Sequence, residues 1–503
     1  MSILFRPQRS RHPRGRLSTL VFALALGLTA GATSAQTALL MLPAPAGPHD
    51  VGTLVLRLID HSRADRACRS GHREPCGSTS ARTSPASGHA PTEPLSTRVA
   101  SESAPETVQV THDRFLGHVE PDVAVNPHTP GNLLGASQFE WTNHRRIPGT
   151  FASFDGGRTW HDNGPLPLPT GYKVGADTTV AFTAGGVGWV AALMWQGGNG
   201  AASRVTRGGV FLWRTRDGGR SFSRPIPVYV GQGFQDHPWL AIRNTRQGPV
   251  LLTAWTNRAG LELARSRPGS TTFSRPRLLV AGALPSTPVL VLGSHDRLDV
   301  FFQEDRMSSG RSKTEPFQTT LAVASSRDDG LTFAPARTIA HVPNTANPAD
   351  QQPPALLAAA ADPHAPVTAV AIAAQDPRRG HPAVELWLRK SPAGPWQGPI
   401  FPATGAAARF AQEQPRLGFV DGRLYLSYFT ISRAGEIQER LASARERGSS
   451  FTAHRLGGPP FTANGFIGDY QALALTSRLG YALWNSDQTG RLEIVEASFP
   501  VSH

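Results

Sequence analysis

Acidic, basic and aromatic residues recur in this 503-residue chain at the start of one kind of short apolar segment. The segments are EPDVAV, DTTVAF, HPWLAI, TPVLVL, PPALLA, QPRLGF and YQALAL, which begin at 120, 177, 237, 287, 353, 414 and 470. At or beside their starts lie Glu120, Asp177, Asp236, His237, Glu413, Asp469 and Tyr470. Carboxylates, imidazoles and phenols transfer protons or attack electrophilic carbon in proteins. If these residues meet, they could cleave a bond by acid–base or nucleophilic chemistry.

Arginines occupy a second recurring position, at the end of the more hydrophobic segment that follows each of the first. The stretches are EWTNHRR, WTNR, QEDR and DPRR, and the arginines predicted to bind a ligand are Arg145, Arg146, Arg258, Arg306 and Arg379. A guanidinium group forms paired hydrogen bonds with a carboxylate. Carboxylates, arginines and aromatics that converge on one surface are typical of a polar carbohydrate pocket. Glu120 and His237 are predicted to belong to this binding set.

The elements that would position these residues form a repeat of about 50 to 60 residues. An octad ends the third segment of a unit: SFDGGRTW at 153–160, TRDGGRSF at 215–222 and SRDDGLTF at 326–333, with weaker copies at 266–273, 391–396 and 444–451. Four short strands per unit and seven units predict an all-β fold, a seven-bladed β-propeller over residues 106–503. The last unit is one strand short, so ETVQVTHD at 106–113 is predicted to complete it and close the ring.

The octad resembles the Asp-box, also called the bacterial neuraminidase repeat. The matching residues are Ser153, Asp155, Gly157, Trp160, Asp217, Gly219, Phe222, Asp328, Gly330 and Phe333. In such a turn the Asp accepts backbone N–H groups, the Gly takes a positive φ, and the aromatic ring packs between sheets. These residues are therefore predicted to be structural. The functional site is expected on the opposite face of the ring.

Asp-box families include sialidases, other glycosidases, some polysaccharide lyases, sortilin-type receptors and non-catalytic propellers. A sialidase site has three arginines on the sugar carboxylate, a Tyr nucleophile backed by a Glu, and an Asp acid/base. By this resemblance Tyr470 is the nucleophile, Glu413 its partner, and Asp177 or Asp236 the acid. The chain departs from sialidases, which have six blades and begin the first strand with Arg-Ile-Pro. Here Arg146-Ile147-Pro148 lies just before Ser153.

The resemblance implies a sialidase-like exo-glycoside hydrolase that acts on a glycan or glycoconjugate. A propeller that binds a glycan or a protein without catalysis is the alternative. A polysaccharide lyase is the third possibility, and His237 and His144 could serve it as bases. The sequence predicts a monomer with no cofactor and no metal-ligand set, and it leaves open whether a divalent ion lies in the channel.

The N-terminal region is predicted to direct export. Residues 1–35 are basic, then apolar, then small, which is typical of a cleaved secretory signal and leaves no membrane span in the mature protein. Residues 36–105 are rich in Ser, Pro and Arg and predict a disordered linker. This segment contains Cys68 and Cys76, the two cysteines of the chain, whose role stays open. The net charge is +13, but the Lys and Arg residues form no stripe, so nucleic acid is excluded as a partner. The signal predicts that the protein lies in the periplasm or outside the cell.

Overall fold

The computed structural model describes residues 105–140, 145–197, 205–282, 285–293, 296–306, 317–344, 355–376, 378–445, 450–463 and 465–501. The signal peptide, the linker up to residue 104 with its two cysteines, His144 and the middle of the octad copy at 444–451 fall outside these ranges. Those interpretations stay predictions. In the described part of the chain, no helix is long and apolar enough to cross a bilayer.

The described strands form seven antiparallel sheets, which are the blades of a propeller. Blade 1 comprises β2 (Gly117–Val125), β3 (Leu133–Glu140), β4 (Arg146–Ser153) and β5 (His161–Pro165). Blade 2 comprises β6 (Val174–Phe182), β7 (Gly188–Gly197), β8 (Val205–Thr215) and β9 (Ile226–Gln232). Blade 3 comprises β10 (Asp236–Thr245), β11 (Gly248–Asn257), β12 (Gly260–Arg265) and β13 (Arg277–Ala281). Blade 4 comprises β14 (Pro285–Leu292), β15 (Leu298–Arg306), β16 (Phe317–Ser326) and β17 (Arg337–Asn344).

The remaining blades follow the same order. Blade 5 comprises β18 (Ala358–Ala361), β19 (Thr368–Asp376), β20 (His381–Arg389) and β21 (Gln397–Ile400). Blade 6 comprises β22 (Ala411–Val420), β23 (Arg423–Ile431), β24 (Glu436–Arg445) and β25 (Thr452–Arg455), with β26 (Phe461–Thr462) added beside β24. Blade 7 comprises β27 (Ala472–Leu475), β28 (Leu479–Ser486) and β29 (Glu493–Pro500). The predicted all-β, seven-bladed fold is confirmed.

The fourth strand of blade 7 comes from the other end of the described chain. β1 (Val108–Gln109) pairs antiparallel with β29, with Val108 opposite Glu496. Two hydrogen bonds extend the contact: Val110 N–H donates to the Ile494 carbonyl at 2.8 Å, and Thr111 Oγ1 donates to Glu493 at 2.6 Å. This is the pairing that the sequence predicted, and it covers an edge that blade 7 would otherwise expose.

The core lies between neighbouring blades, because each blade packs both of its faces. The second strand β7 reads GWVAALMWQG, with all but its last two residues buried, since a strand covered on both sides needs apolar residues at consecutive positions. Between blades 1 and 2, for example, Leu134 packs with Val190 and Trp213, all fully buried. The seven-fold repetition of such layers holds the ring together.

The three full octads form the turns between third and fourth strands. In the first, Asp155 Oδ1 accepts Ser153 Oγ and Thr159 N–H, both at 2.9 Å, while its Oδ2 accepts Thr159 Oγ1 at 2.6 Å. In the third, hydrogen bonds from Thr332 and Ser326 lower the pKa of Asp328 to about 2. Each carboxylate is thus engaged by its own turn. Because consecutive strands are antiparallel, the first strands begin at the opposite end of the ring, which we call the mouth.

Candidate functional site

Five first strands share one local irregularity at the mouth. At this point two residues of the first strand lack a partner on the second strand, as between Val119 and Asp122 in β2. The first residue of each pair adopts a positive φ without being glycine: Glu120 (60°), Asp177 (51°), His237 (45°), Thr287 (50°) and Gln414 (50°). Such backbone costs on the order of 1 kcal/mol or more per residue and persists where the surrounding structure enforces it. The bulges turn side chains from several blades towards the axis.

The residues at three of these bulges meet with two neighbours in a group that we call the axial cluster. It consists of Glu120 from blade 1, Asp177 from blade 2, Asp236 and His237 from blade 3, and Asp469 just before blade 7. Asp177 accepts hydrogen bonds from Gln138 Nε2 and from the His237 N–H, both at 3.2 Å. The His237 ring lies between two carboxylates, with Nδ1 3.9 Å from Asp177 and Nε2 4.0 Å from Asp236.

Burial, and after it the crowding of like charges, governs the protonation of the carboxyl groups in the cluster. Burial, followed by the charges of Asp177 and Asp469, raises the pKa of Glu120 well above its usual range. Burial also raises the pKa of Asp236 and of Asp469 to about 6, although His237 opposes the increase in both. Burial would lower the pKa of His237, but the surrounding aspartates outweigh it and raise that pKa. The described residues around the cluster therefore supply too few positive charges to neutralise all of its carboxylates.

Arg146 is the predicted guanidinium that reaches this cluster. It begins β4, packs over the Phe466 ring at 4.7 Å, and partly offsets the negative charge around Glu120 and Asp469. Its neighbour Arg145 is exposed.

Three other predicted arginines stay outside the cluster. Arg258 is exposed in the turn after β11, and Arg306, 64% exposed, lies 3.8 Å from Glu304. Arg379 lies 2.9 Å from Asp376 and over the Phe401 ring in blade 5. Of the residues predicted to bind substrate, Glu120, Arg146 and His237 come together.

Tyr470 borders the cluster and stacks on a buried arginine. The Arg416 guanidinium lies 4.9 Å from the Trp239 ring and 5.3 Å from the Tyr470 ring, and its Nη2 is 3.6 Å from Asp122. Its Nε donates to the carbonyl of the residue after Tyr470. Burial, and next the charge of Glu120, raise the pKa of the Tyr470 phenol well above its usual range. Glu120 is thus the carboxylate that acts most strongly on this phenol.

Glu413, the predicted partner of Tyr470, is 1% exposed in β22, opposite Phe429. The axial space lined by Asp177, Trp239 and Tyr470 has a volume of about 20 Å³. A cavity of that size holds about one water molecule. A ligand larger than water would therefore bind outside it, over the mouth.

Sequence reasoning missed Asp122, Trp239 and Arg416, which shape this space. All three occupy the third position of the repeated segment, as in EPD, HPW and QPR. That position follows the bulge on each first strand, where Trp239 and Arg416 line the space and Asp122 lies beside Arg416. The third residue of the repeated segment was therefore the sequence feature that could have identified Asp122, Trp239 and Arg416.

Comparison with known proteins finds low similarity. No protein-family model matches the chain, and no curated protein matches it. Among solved structures, a protein of unknown function from Dyadobacter fermentans has a TM-score of 0.47 and 12% identity, covering 80% of this chain and 99% of its own.

Two enzymes lie in the same range. A Hadza microbial sialidase has a TM-score of 0.43 and 16% identity, covering 76% of this chain and 66% of its own. A Penicillium chrysogenum alpha-L-arabinanase has a TM-score of 0.45 and 10% identity, covering 79% of this chain and 98% of its own. These scores lie below 0.5, so the likeness assigns neither activity nor substrate to this chain.

Proposed function

We propose that the chain is a glycan-processing enzyme, a glycoside hydrolase that acts at the mouth of the propeller. The observation that carries the proposal is the meeting of carboxyl groups from four blades with Tyr470, Arg146 and Arg416 at one end of the axis. Glycosidases commonly cleave between two acidic groups, one of which protonates the leaving oxygen. Some use a tyrosine nucleophile instead of the second carboxylate.

The geometry favours Asp469 and Tyr470 as the reacting pair. Both are partly exposed, and they are adjacent in the chain at the mouth. Asp177, by contrast, uses both carboxylate oxygens to accept hydrogen bonds from Gln138 and His237. In this proposal Glu413, the predicted partner, takes the phenol proton as Tyr470 Oη attacks the anomeric carbon, and Asp469 protonates the departing glycosidic oxygen. Asp469 then takes a proton from water, which displaces the tyrosine from the sugar, and Glu413 returns the proton to Tyr470 Oη.

The finer proposal, taken from the octad resemblance, is an exported sialidase-like exo-hydrolase. It requires arginines around the carboxylate of the sugar, and Arg146 at the cluster is the first of them. Glu413 keeps its predicted role as the partner of Tyr470, and the Glu413→Gln variant tests that role.

A glycan-binding propeller without catalysis is the second candidate. The small axial cavity favours it, because a ligand held over the mouth can be bound without entering between the carboxyl groups.

The test is a screen of the purified full chain against fluorogenic sialosides and neutral glycosides, beside a glycan array. Asp469→Asn and Tyr470→Phe should each lower kcat by about 10²-fold or more, since a positioned acid or nucleophile contributes that much. Glu436→Gln, an exposed carboxyl group at the mouth end of blade 6, is the control and should retain activity. Array binding without turnover would establish the binding propeller instead. An unsaturated product that absorbs in the ultraviolet would establish a lyase.

A further inference from the structure

The charge balance of the axial cluster is uneven among the described residues. Its carboxylates are Glu120, Asp177, Asp236 and Asp469, and the positive or titratable groups that face them are Arg146 and His237. Four carboxyl groups thus face two groups that can carry a positive charge. Buried carboxylates are stable when they are paired, neutralised or bound to a metal ion.

Three of these residues hold potential ligand atoms close together. One carboxylate oxygen of Asp177, one of Asp236 and one ring nitrogen of His237 lie within 4.8 Å of one another. The side chains are largely buried, with exposures of 11%, 24% and 15%. Two ligands of one ion can be separated by at most twice the ion–ligand distance. That limit is about 5 Å for calcium and about 4 Å for magnesium or zinc.

An independent observation is the carboxylate of Glu120, which is 2% exposed. Its Oε1 accepts the Asp469 N–H at 3.3 Å, but its Oε2 is buried, receives no hydrogen bond from an amide, hydroxyl or cationic group in the described ranges, and instead meets the Asp177 carboxyl group. The side chain extends into the cluster, where the charges of Asp177 and Asp469 act on it. A buried carboxylate oxygen without a donor carries a large desolvation penalty, which a cation would offset.

We propose that Asp177, Asp236 and His237, together with Glu120, bind one divalent cation of the size of calcium on the axis near the mouth. The donor set is mostly carboxylate oxygen, which hard cations prefer, with one imidazole nitrogen. The site goes beyond the proposed reaction, and it supplies a ligand set for the divalent ion that the sequence left open. Asp469 and Tyr470 stay available for chemistry beside it.

Such an ion would link blades 1, 2 and 3 through side chains presented by their first-strand bulges. The backbones of Glu120, Asp177 and His237 are held at φ of 45–60° in those bulges, so their side chains are positioned before the ion arrives. The ion would therefore stabilise the mouth end of the ring. An ion that binds only the folded chain raises its stability with the logarithm of the ratio of ion concentration to Kd.

The experiment uses the full chain, stripped with EDTA and titrated separately with calcium, manganese and zinc chlorides by calorimetry. Thermal unfolding and metal analysis accompany it. We expect one calcium ion per chain, and a melting temperature about 3 °C higher at a calcium concentration about a hundredfold above Kd. No bound ion at millimolar calcium, or binding of manganese or zinc alone, would overturn the proposal.

Variants locate the ion. Asp177→Asn and His237→Gln should each weaken calcium binding by about tenfold or more. Glu496→Gln is the matched control, because Glu496 is also a buried carboxyl group but lies in blade 7, beside the octad turn of blade 1. Unchanged affinity in folded Asp177→Asn and His237→Gln would refute the assignment, and Glu120→Gln takes the place of any variant that does not fold. Ion binding is measured without a sugar, so its failure is separate from failure of the proposed hydrolysis.

Discussion

Glu496 offers a quantitative test of the joint between the last blade and the first. It lies in β29, is 1% exposed, and pairs with Val108 of β1 and Leu483 of β28. Its carboxyl group lies close to blade 1, since a Cβ atom added at Gly157, in the first octad turn, would be 3.1 Å from Glu496 Oε2. Burial raises the pKa of Glu496 to about 8, although the indole of Trp160 partly opposes this. The carboxyl group is therefore neutral in the folded protein at pH 7.

The magnitude follows from the difference in proton binding. In the unfolded chain the group ionises near pH 4.5, so folding at pH 7 requires it to take up a proton. At about 1.36 kcal/mol per pH unit, this costs about 3 kcal/mol at pH 7. Because the pKa is higher in the folded state, the contribution of Glu496 to stability is fully present below pH 4.5. It is lost as the pH rises to about 8.

Replacing Glu496 by Gln removes this dependence, since the amide is neutral at every pH and has nearly the same shape. We expect the variant to be about as stable as the original protein at pH 5 and more stable by up to about 3 kcal/mol at pH 7. The assay is denaturant and thermal unfolding of both proteins from pH 5 to 8.5. The measured quantity is the difference in the free energy of unfolding between the two proteins, in which the contributions of the other titrating groups cancel.

Glu436→Gln provides the control, because Glu436 is exposed at the start of β24. Its difference from the original protein should stay within about 0.5 kcal/mol at each pH. A Glu496→Gln difference that does not grow between pH 5 and 8 would refute the reasoning. It would mean that the carboxyl group is ionised, and solvated or paired, in the folded protein.

Two further predictions concern carboxylates engaged in local structure. Asp217 accepts hydrogen bonds from Ser221 N–H at 2.9 Å and from two hydroxyls in the second octad. Asp217→Ala should therefore lower the free energy of unfolding, measured by urea denaturation, by about 1–3 kcal/mol, and no loss would show that the turn does not need this carboxylate. Asp299 is 2% exposed and lies 2.8 Å from both Arg297 and Arg389. Asp299→Ala leaves Arg389 buried without this partner and should lower the free energy of unfolding, measured by thermal unfolding, by about 3–5 kcal/mol. A decrease below about 1 kcal/mol would contradict the pairing.

The repeat made the fold predictable because it records position within a blade. Each octad marks the turn after a third strand, and each segment such as EPDVAV marks a first strand, so counting both yields seven blades. The strand β1 followed from the missing fourth strand of blade 7. These inferences needed only local patterns and a closed ring, since every blade packs against its two neighbours in the same way.

The partners across the axis could not be predicted in the same way. Glu120 and Asp469 contact each other although they lie 349 positions apart. The repeat places both at the mouth but says nothing about which blades bring their side chains into contact. The sequence therefore offered Glu413 as the carboxylate beside Tyr470, while the charge that acts most strongly on that phenol belongs to Glu120.

The bulges themselves run against local preference, which explains why they were not foreseen. Glu120, His237, Thr287 and Gln414 each precede a proline, and a residue before proline favours extended backbone. In the folded protein all four have positive φ instead. Proline lacks an N–H, so leaving it unpaired in the bulge loses no hydrogen bond. The conformation is thus set by the inner edge of the blade, where the strand must bend to bring its side chain to the axis, and a single chain segment does not reveal that requirement.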